Sequence, residues 1–297
     1  MKIHTLDHHF QGNSDTIASF LVESEQALTL VETGAYSTFH ILKKAIEDLG
    51  FELKNIKSVL LSHIHLDHAG AAWAFARQGA TIYVHPFGAA HLENPEKLMA
   101  SAKMIYQDQM ESLWGKMEAI PKNQIVEVLD GQEFSFGDQV WKGWHTAGHA
   151  NHHLAWQLGQ DLFAGDVAGV QIGKGAVVAP CPPPDIDLEK WVKSIELMRN
   201  LPIKSLYLTH YGRKTNISEH LNELESNLFV FANWVKNRMK TEDSLEKIIA
   251  DFEEFSQKKL IDLGLNEAEL LQYRYANPAF MSVTGLIRYW KKQETKI

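Results

Sequence analysis

The sequence predicts an α/β fold of layered sheets and helices, followed by an all-helical C-terminal segment. Three observations carry this. Short β-branched apolar runs alternate with helical stretches over residues 17–84. A second group of strand-like runs with glycine punctuation fills 124–165. From about residue 216 the apolar residues change to helical spacing and no strand pattern returns.

In order along the chain, residues 17–32 hold two strand-like runs separated by Glu25–Gln26. Gly34 opens a turn, and Ser37 is the expected cap of a helix carrying Phe39, Leu42, Ile46 and Leu49 on one face, closed by Gly50. Residues 56–61 read as a buried strand, 69–77 as a helix and 81–84 as another strand. Residues 86–120 are helical in character, with Met99, Met104, Met110 and Met117. Strands are expected at 124–128, 139–145, 152–158 and 161–165, then a helix at 188–200 and a strand at 204–210. Ile217, Leu221, Leu224, Leu228, Phe231, Val235 and Met239 draw one stripe down a long helix. Leu245, Ile248, Ile249, Phe252 and Phe255 mark a second helix, and Val283, Leu286, Ile287 and Trp290 a third. The expected division is a domain over 1–215 and a helical extension over 216–297.

Composition narrows the chemistry. The 297 residues include 29 Lys+Arg, 37 Asp+Glu, 15 His and one Cys, for a net charge of −8. One cysteine, Cys181, excludes an internal disulfide framework, a thiolate zinc finger and an iron–sulfur cluster. The acidic balance argues against a nucleic-acid partner. The N-terminus has no signal-like apolar core, and no apolar run approaches a membrane span, so a cytoplasmic protein without a membrane partner is the expectation.

Any metal chemistry must therefore use imidazole and carboxylate, and residues 62–68 supply both. His63, His65, Asp67 and His68 directly follow a buried strand. His63 and His65 are two apart, so in an extended segment both project to one side. Asp67 and His68 lie where the chain turns into a helix and face a different point. The segment can thus feed two adjacent metals, and this donor set suits Zn²⁺, Mn²⁺ or Fe. His149, Asp166 and His210 each follow an apolar strand, so all three can gather at one edge of a sandwich.

The pattern His63-x-His65-x-Asp67-His68, then His149, Asp166 and His210 in that order, resembles the metallo-β-lactamase fold superfamily of metallohydrolases. The resemblance covers roughly residues 13–212. It implies a four-layer αβ/βα sandwich with a dinuclear metal site. It further implies that His63, His65 and His149 hold one metal, that Asp67, His68 and His210 hold the other, and that Asp166 bridges them. Two divalent ions are expected, zinc first, with manganese or iron as alternatives. One position departs from the family pattern: Asp-x-Gly is usual where this chain has Glu32-Thr33-Gly34. Glutamate is one methylene longer, so its hydrogen bonds are expected to shift, giving a looser or differently selective site.

The expected chemistry is hydrolysis of a thioester, lactone or other carboxylic ester by a bridging hydroxide, with Asp67 orienting it and accepting its proton. No Gly-x-Ser-x-Gly element is present, and Cys181 lies in a Cys-Pro-Pro-Pro stretch without a neighbouring His. Tyr211, next to His210, is a second catalytic candidate, with packing at a strand end as its alternative. The long loop 167–186 is expected to form a pocket wall. The helical segment resembles, in placement only, the appendage of the glyoxalase II branch. Arg213, Lys214, Arg274 and Arg288 are available to an acidic substrate group. The stretch 99–117 with Trp114 reads first as core packing, then as a lid or a homodimer contact. A small-molecule substrate is expected. A phosphodiesterase and a mononuclear iron dioxygenase remain as alternatives on the same fold. The dioxygenase would not need His68 and His210. Of the other histidines, His8, His9, His152 and His153 are placed nearest the site.

Overall fold

In a computed structural model describing residues 1–295, the chain forms two six-stranded sheets face to face, with helices on both outer sides. The strands are β1 Lys2–Asp7, β2 Ala18–Glu23, β3 Leu28–Val31, β4 Ser58–Leu60, β5 Thr81–Val84, β6 Ile125–Glu127, β7 Gln132–Phe136, β8 Gln139–His145, β9 Leu154–Leu158, β10 Asp161–Phe163, β11 Ser205–Leu208 and β12 Gly212–Lys214. The first sheet has the order β1-β2-β3-β4-β5-β6 and the second β12-β11-β10-β9-β8-β7. Both are mixed. β3, β4, β5 and β6 run parallel, as do β10 and β11, while the other pairings are antiparallel.

The helices are α1 Phe39–Asp48, α2 Leu66–Ala69, α3 Ala72–Ala76, α4 Pro86–Glu93, α5 Glu96–Tyr106, α6 Met110–Trp114, α7 Leu188–Asn200, α8 Ile217–Arg238, α9 Leu245–Asp262, α10 Glu267–Ala276 and α11 Ala279–Glu294. Three buried clusters define the layers. Phe20, Val31, Leu60, Trp141, Trp156 and Phe163 fill the space between the sheets. Leu42, Ile46, Val59, Phe75 and Ile82 pack helices on the outer face of the first sheet. Leu162, Trp191, Leu206, Leu221, Leu224 and Leu286 do the same on the second, so the C-terminal helices share a continuous core with its outer face. The result is the four-layer αβ/βα sandwich. No helix among the described residues is long and apolar enough to cross a membrane.

Three strands and one helix differ from expectation, each for a physical reason. β1, β7 and β12 all lie at sheet edges, and their residues are mostly half-exposed or exposed. They therefore lack the apolar run that marks a central strand. The C-terminal segment holds four helices rather than three. α10 is announced by a capping box between Asn266 and Glu269 rather than by a long apolar stripe. The 62–68 segment also turns helical earlier than expected, at Leu66, which places Asp67 and His68 within α2.

One buried polar group ties the sheets together. The Gln139 side chain, 1% exposed, donates through Nε2 to Val22 O (3.1 Å) and Ala27 O (3.3 Å). Its Oε1 accepts from Thr29 Oγ1 (2.8 Å) and Trp141 Nε1 (2.9 Å). Gln139→Leu keeps the volume but orphans these partners. It should destabilise the fold by about 2–4 kcal/mol, read as a lowered urea midpoint with the slope unchanged.

Candidate metal centre

Every candidate ligand sits just past the C-terminal end of a strand or on the turn that follows it. His63 and His65 follow β4, with Asp67 and His68 on α2 immediately after. His149 follows β8, Asp166 follows β10 and His210 follows β11. Parallel strands deliver their C-terminal ends to one edge, where the chain leaves the ladder and side chains are free to converge.

They do converge. His65 Nδ1 lies 2.8 Å from His63 Nε2 and 3.0 Å from His149 Nε2. His68 Nε2 lies 3.3 Å from Asp166 Oδ1 and 3.7 Å from Asp67 Oδ2. His210 Nε2 lies 3.4 Å from Asp67 Oδ2 and 3.5 Å from Asp166 Oδ1. The second oxygen of Asp166, Oδ2, faces His149 Nε2 at 3.4 Å. The donor atoms form the sets His63/His65/His149, His63/His68/Asp166 and Asp67/His68/His210, each within 4.8 Å. Asp166 therefore stands between the first and third sets, with one oxygen toward each.

The outer nitrogens decide what the inner ones can do. His149 Nδ1 donates to Pro180 O at 2.8 Å and His210 Nδ1 donates to Thr16 O at 2.7 Å. A carbonyl only accepts, so each Nδ1 carries a proton and each Nε2 is the ring atom turned inward. His63 Nδ1 meets Ser62 Oγ at 2.9 Å. The inward nitrogens meet the carboxylate oxygens of Asp67 and Asp166 at 3.3–3.7 Å, outside good hydrogen-bond geometry. The buried atoms His68 Nε2, Asp166 Oδ1 and His210 Nε2 accordingly have no hydrogen-bond partner. These three orphaned atoms, and a donor set of nitrogen and oxygen without sulfur, fit divalent metal ions.

The same crowding sets the charges. Burial, and the neighbouring His68, His65 and His149, hold His63 well below the usual imidazole range. Burial and His149 lower His65 to about 3. At Asp67 burial is outweighed by His68 and His210, and the carboxyl falls to about 2. His68 is raised, because Asp166, Asp67 and Glu32 together outweigh its burial. The imidazoles of the first set are thus neutral and Asp67 ionised at neutral pH, the states that metal binding requires.

Glu32 reaches the site despite its extra methylene. Its backbone is left-handed, with φ 63°, and its oxygens accept from Ser62 N at 3.3 Å while Oε1 faces His68 Nδ1 at 3.3 Å. It thereby orients both the His-rich loop and one ring. Glu32→Gln should weaken metal affinity by about tenfold, measured by competition with a chromophoric chelator.

Other candidates fall elsewhere. The Tyr211 hydroxyl donates to Asp7 Oδ2 at 3.2 Å and is not among the converging atoms. His8 lies under Gly34, bonded to Thr38 Oγ1 (3.1 Å) and Ser19 Oγ (2.7 Å), and burial lowers it to about 3. His9 is exposed. His153 Nε2 accepts from Asp166 N at 3.2 Å, and His152 packs against the rings of His63 and His65. Cys181 is fully buried, and burial pushes its thiol up. Met110, Trp114 and Met117 are core residues, whereas Met104 is exposed. Arg213 bonds Ser205 Oγ, and Arg274 pairs with Glu253. Sequence reasoning missed Tyr106, whose phenol is raised by burial and by the charge of Asp67. It also missed the carbonyls of Pro180 and Thr16, for which a sequence carries no side-chain signal.

A paired αβ/βα sandwich with a His/Asp cluster at one strand edge presents the donor groups of a metal centre. The model of the metallo-beta-lactamase superfamily matches residues 13–210, and the chain belongs to that superfamily. The metallo-beta-lactamase fold-containing protein of Sulfurisphaera tokodaii is 27% identical over 196 residues, 62% of this chain and 72% of that one. A hydroxyacylglutathione hydrolase of Idiomarina loihiensis is 24% identical over 248 residues, 80% of this chain and 81% of that one. Among solved structures, an archaeal superfamily protein from Sulfolobus tokodaii aligns with a TM-score of 0.70 at 19% identity, covering 96% of this chain and 98% of its own. A family protein of Thermus thermophilus aligns at 0.69 and 17%, covering 98% and 94%. At these identities the two structures speak for the fold alone.

Proposed function

We propose that the chain is a dinuclear metal-dependent hydrolase of ester-like bonds, acting on a thioester, lactone or other carboxylic ester. The observation that carries the reading is the placement of Asp166, one oxygen facing His149 and the other facing His68 and His210. A carboxylate so placed is suited to join two ions, His63, His65 and His149 holding one, Asp67, His68 and His210 the other. When bound, two such ions supply Lewis acidity and a water acidified to a pKa of about 7.

The protein's own part follows from its geometry. Asp67 is ionised and partly exposed, and its Oδ2 lies beside the ring of His210. It is the carboxylate available to orient a nucleophilic water and to take its proton. Glu32, Pro180 O and Thr16 O keep the rings from rotating, so the donors need no reorganisation when substrate arrives. A thioester is favoured within the ester class by the similarity to the hydroxyacylglutathione hydrolase, which extends over most of both chains. The test is a screen of zinc-reconstituted protein against thioesters, lactones, β-lactams and phosphodiesters, each with a chelated control. Thioester or lactone turnover abolished by chelation is expected. Turnover confined to phosphodiesters, or unchanged by chelation, would refute the reading.

A further inference from the structure

The loop 167–186 is more than a pocket wall, because its backbone runs from one candidate ligand to two others. It begins directly after Asp166. At Gln171 its N–H donates to His210 O at 2.6 Å. At Pro180 its carbonyl accepts from His149 Nδ1 at 2.8 Å. Three of the seven ligand candidates are therefore anchored to this one segment.

The segment is in turn held by the C-terminal helices, through buried polar side chains that reach its backbone. His220 Nε2, on α8, donates to Ala168 O at 2.8 Å. Asn227 Nδ2, also on α8, donates to Val177 O at 2.6 Å. The Tyr273 hydroxyl, on α10, accepts from Ile172 N at 3.0 Å and donates to Ala176 O at 2.8 Å. Ser282 Oγ, on α11, accepts from Cys181 N at 3.3 Å and donates to Asn277 Oδ1 at 2.8 Å. Gly285, one turn further along α11, lets that helix touch the loop. A Cβ there would overlap Cys181 O and lie 2.8 Å from Pro182 C and 2.9 Å from Pro183 N.

Apolar packing alone would hold a helix against a sheet without directing side chains at successive loop peptides. Four buried polar side chains, each bonded to loop backbone, fix that loop's position to within hydrogen-bond tolerance. The carbonyl that orients His149 lies one residue from the N–H that Ser282 holds. We propose that the C-terminal helices form a brace that positions the metal ligands His149, Asp166 and His210 through the loop 167–186, with Ser282 and Tyr273 as its positioning residues. The brace adds a role for the helical segment that is independent of which substrate the centre takes.

Two variants delete only an oxygen: Ser282→Ala and Tyr273→Phe. Tyr289→Phe is the control, since the Tyr289 hydroxyl is also on α11 but donates to Glu189 Oε1 at 2.8 Å, away from the loop. Zinc affinity of the folded, metal-free proteins is measured by competition with a fluorescent chelator. The visible absorption bands of the cobalt(II)-loaded forms report ligand geometry. Ser282→Ala and Tyr273→Phe should each bind zinc about tenfold more weakly and show altered cobalt bands, the scale of losing an outer-shell partner. Tyr289→Phe should keep both within twofold of the unaltered protein, whatever its melting temperature. Should Ser282→Ala fail to fold, Tyr273→Phe alone decides. Unchanged zinc affinity in the folded variants, or an equal loss in Tyr289→Phe, overturns the brace. Absence of zinc binding by the unaltered protein overturns the metal centre as well, so the two failures are told apart.

Discussion

Asp166→Ala should abolish hydrolysis by the zinc-reconstituted protein and leave it with less bound metal. Asp166 is 4% exposed, its Oδ1 faces His68 and His210, and its Oδ2 faces His149. Removing it leaves the imidazoles of the two sets facing one another with no anionic group between them. Loss of an outer partner costs about 10–100-fold in affinity or activity, and loss of the shared ligand should exceed that range. Its backbone N–H, bonded to His153 Nε2, is retained, so the loop should keep its course. The metal-free fold should survive, because the backbone bonds at this position, from Asp166 N to His153 Nε2 and from Gly169 N to Asp166 O, do not involve the carboxylate. Turnover and metal content per chain check the prediction together.

Gly148→Ala should be the most damaging single-methyl change near the site. Gly148 has φ 145°, and a Cβ there would lie 2.5 Å from Trp191 Cβ and 2.7 Å from Trp191 N. Those are helix backbone and core atoms of α7, not the end of a flexible side chain, so little can yield. Trp191 is fully buried and its Nε1 donates to Val167 O at 2.8 Å. Backbone strain and overpacking together should cost about 3–5 kcal/mol. His149 is the next residue, so the same displacement should move a ligand. A lowered unfolding midpoint accompanied by weaker zinc binding is expected. Stability and affinity both within error of the unaltered protein would show that the turn has room that the structure denies.

Much of this molecule is readable from its residues, and the exceptions share physical causes. Central strands such as β2, β3 and β4 are buried on both faces and so appear as apolar runs. The edge strands β1, β7 and β12 have solvent on one side and lose that mark. The ligand candidates are legible because His and Asp at strand ends stand out against apolar neighbours, and spacing alone places His63 and His65 on one side. The direction of a side chain beyond a strand end is less legible. Tyr211 adjoins His210 in sequence, yet its hydroxyl turns to Asp7 while the ring of His210 turns inward. Glu32 shows the reverse case. Its longer side chain suggests a displaced contact, and the left-handed backbone at that residue accompanies contacts to both Ser62 and His68. The brace across the loop 167–186 is invisible in sequence because it consists of side chains on one element meeting peptides of another fifty or more residues away.

The seven side chains are proposed to form one shared two-ion centre. The zinc content of reconstituted, desalted protein, measured by plasma mass spectrometry beside Asp166→Ala, tests that centre. About two zinc ions per chain are expected in the unaltered protein and fewer than one in the variant. One ion or none in the unaltered protein, or two retained in Asp166→Ala, would contradict it.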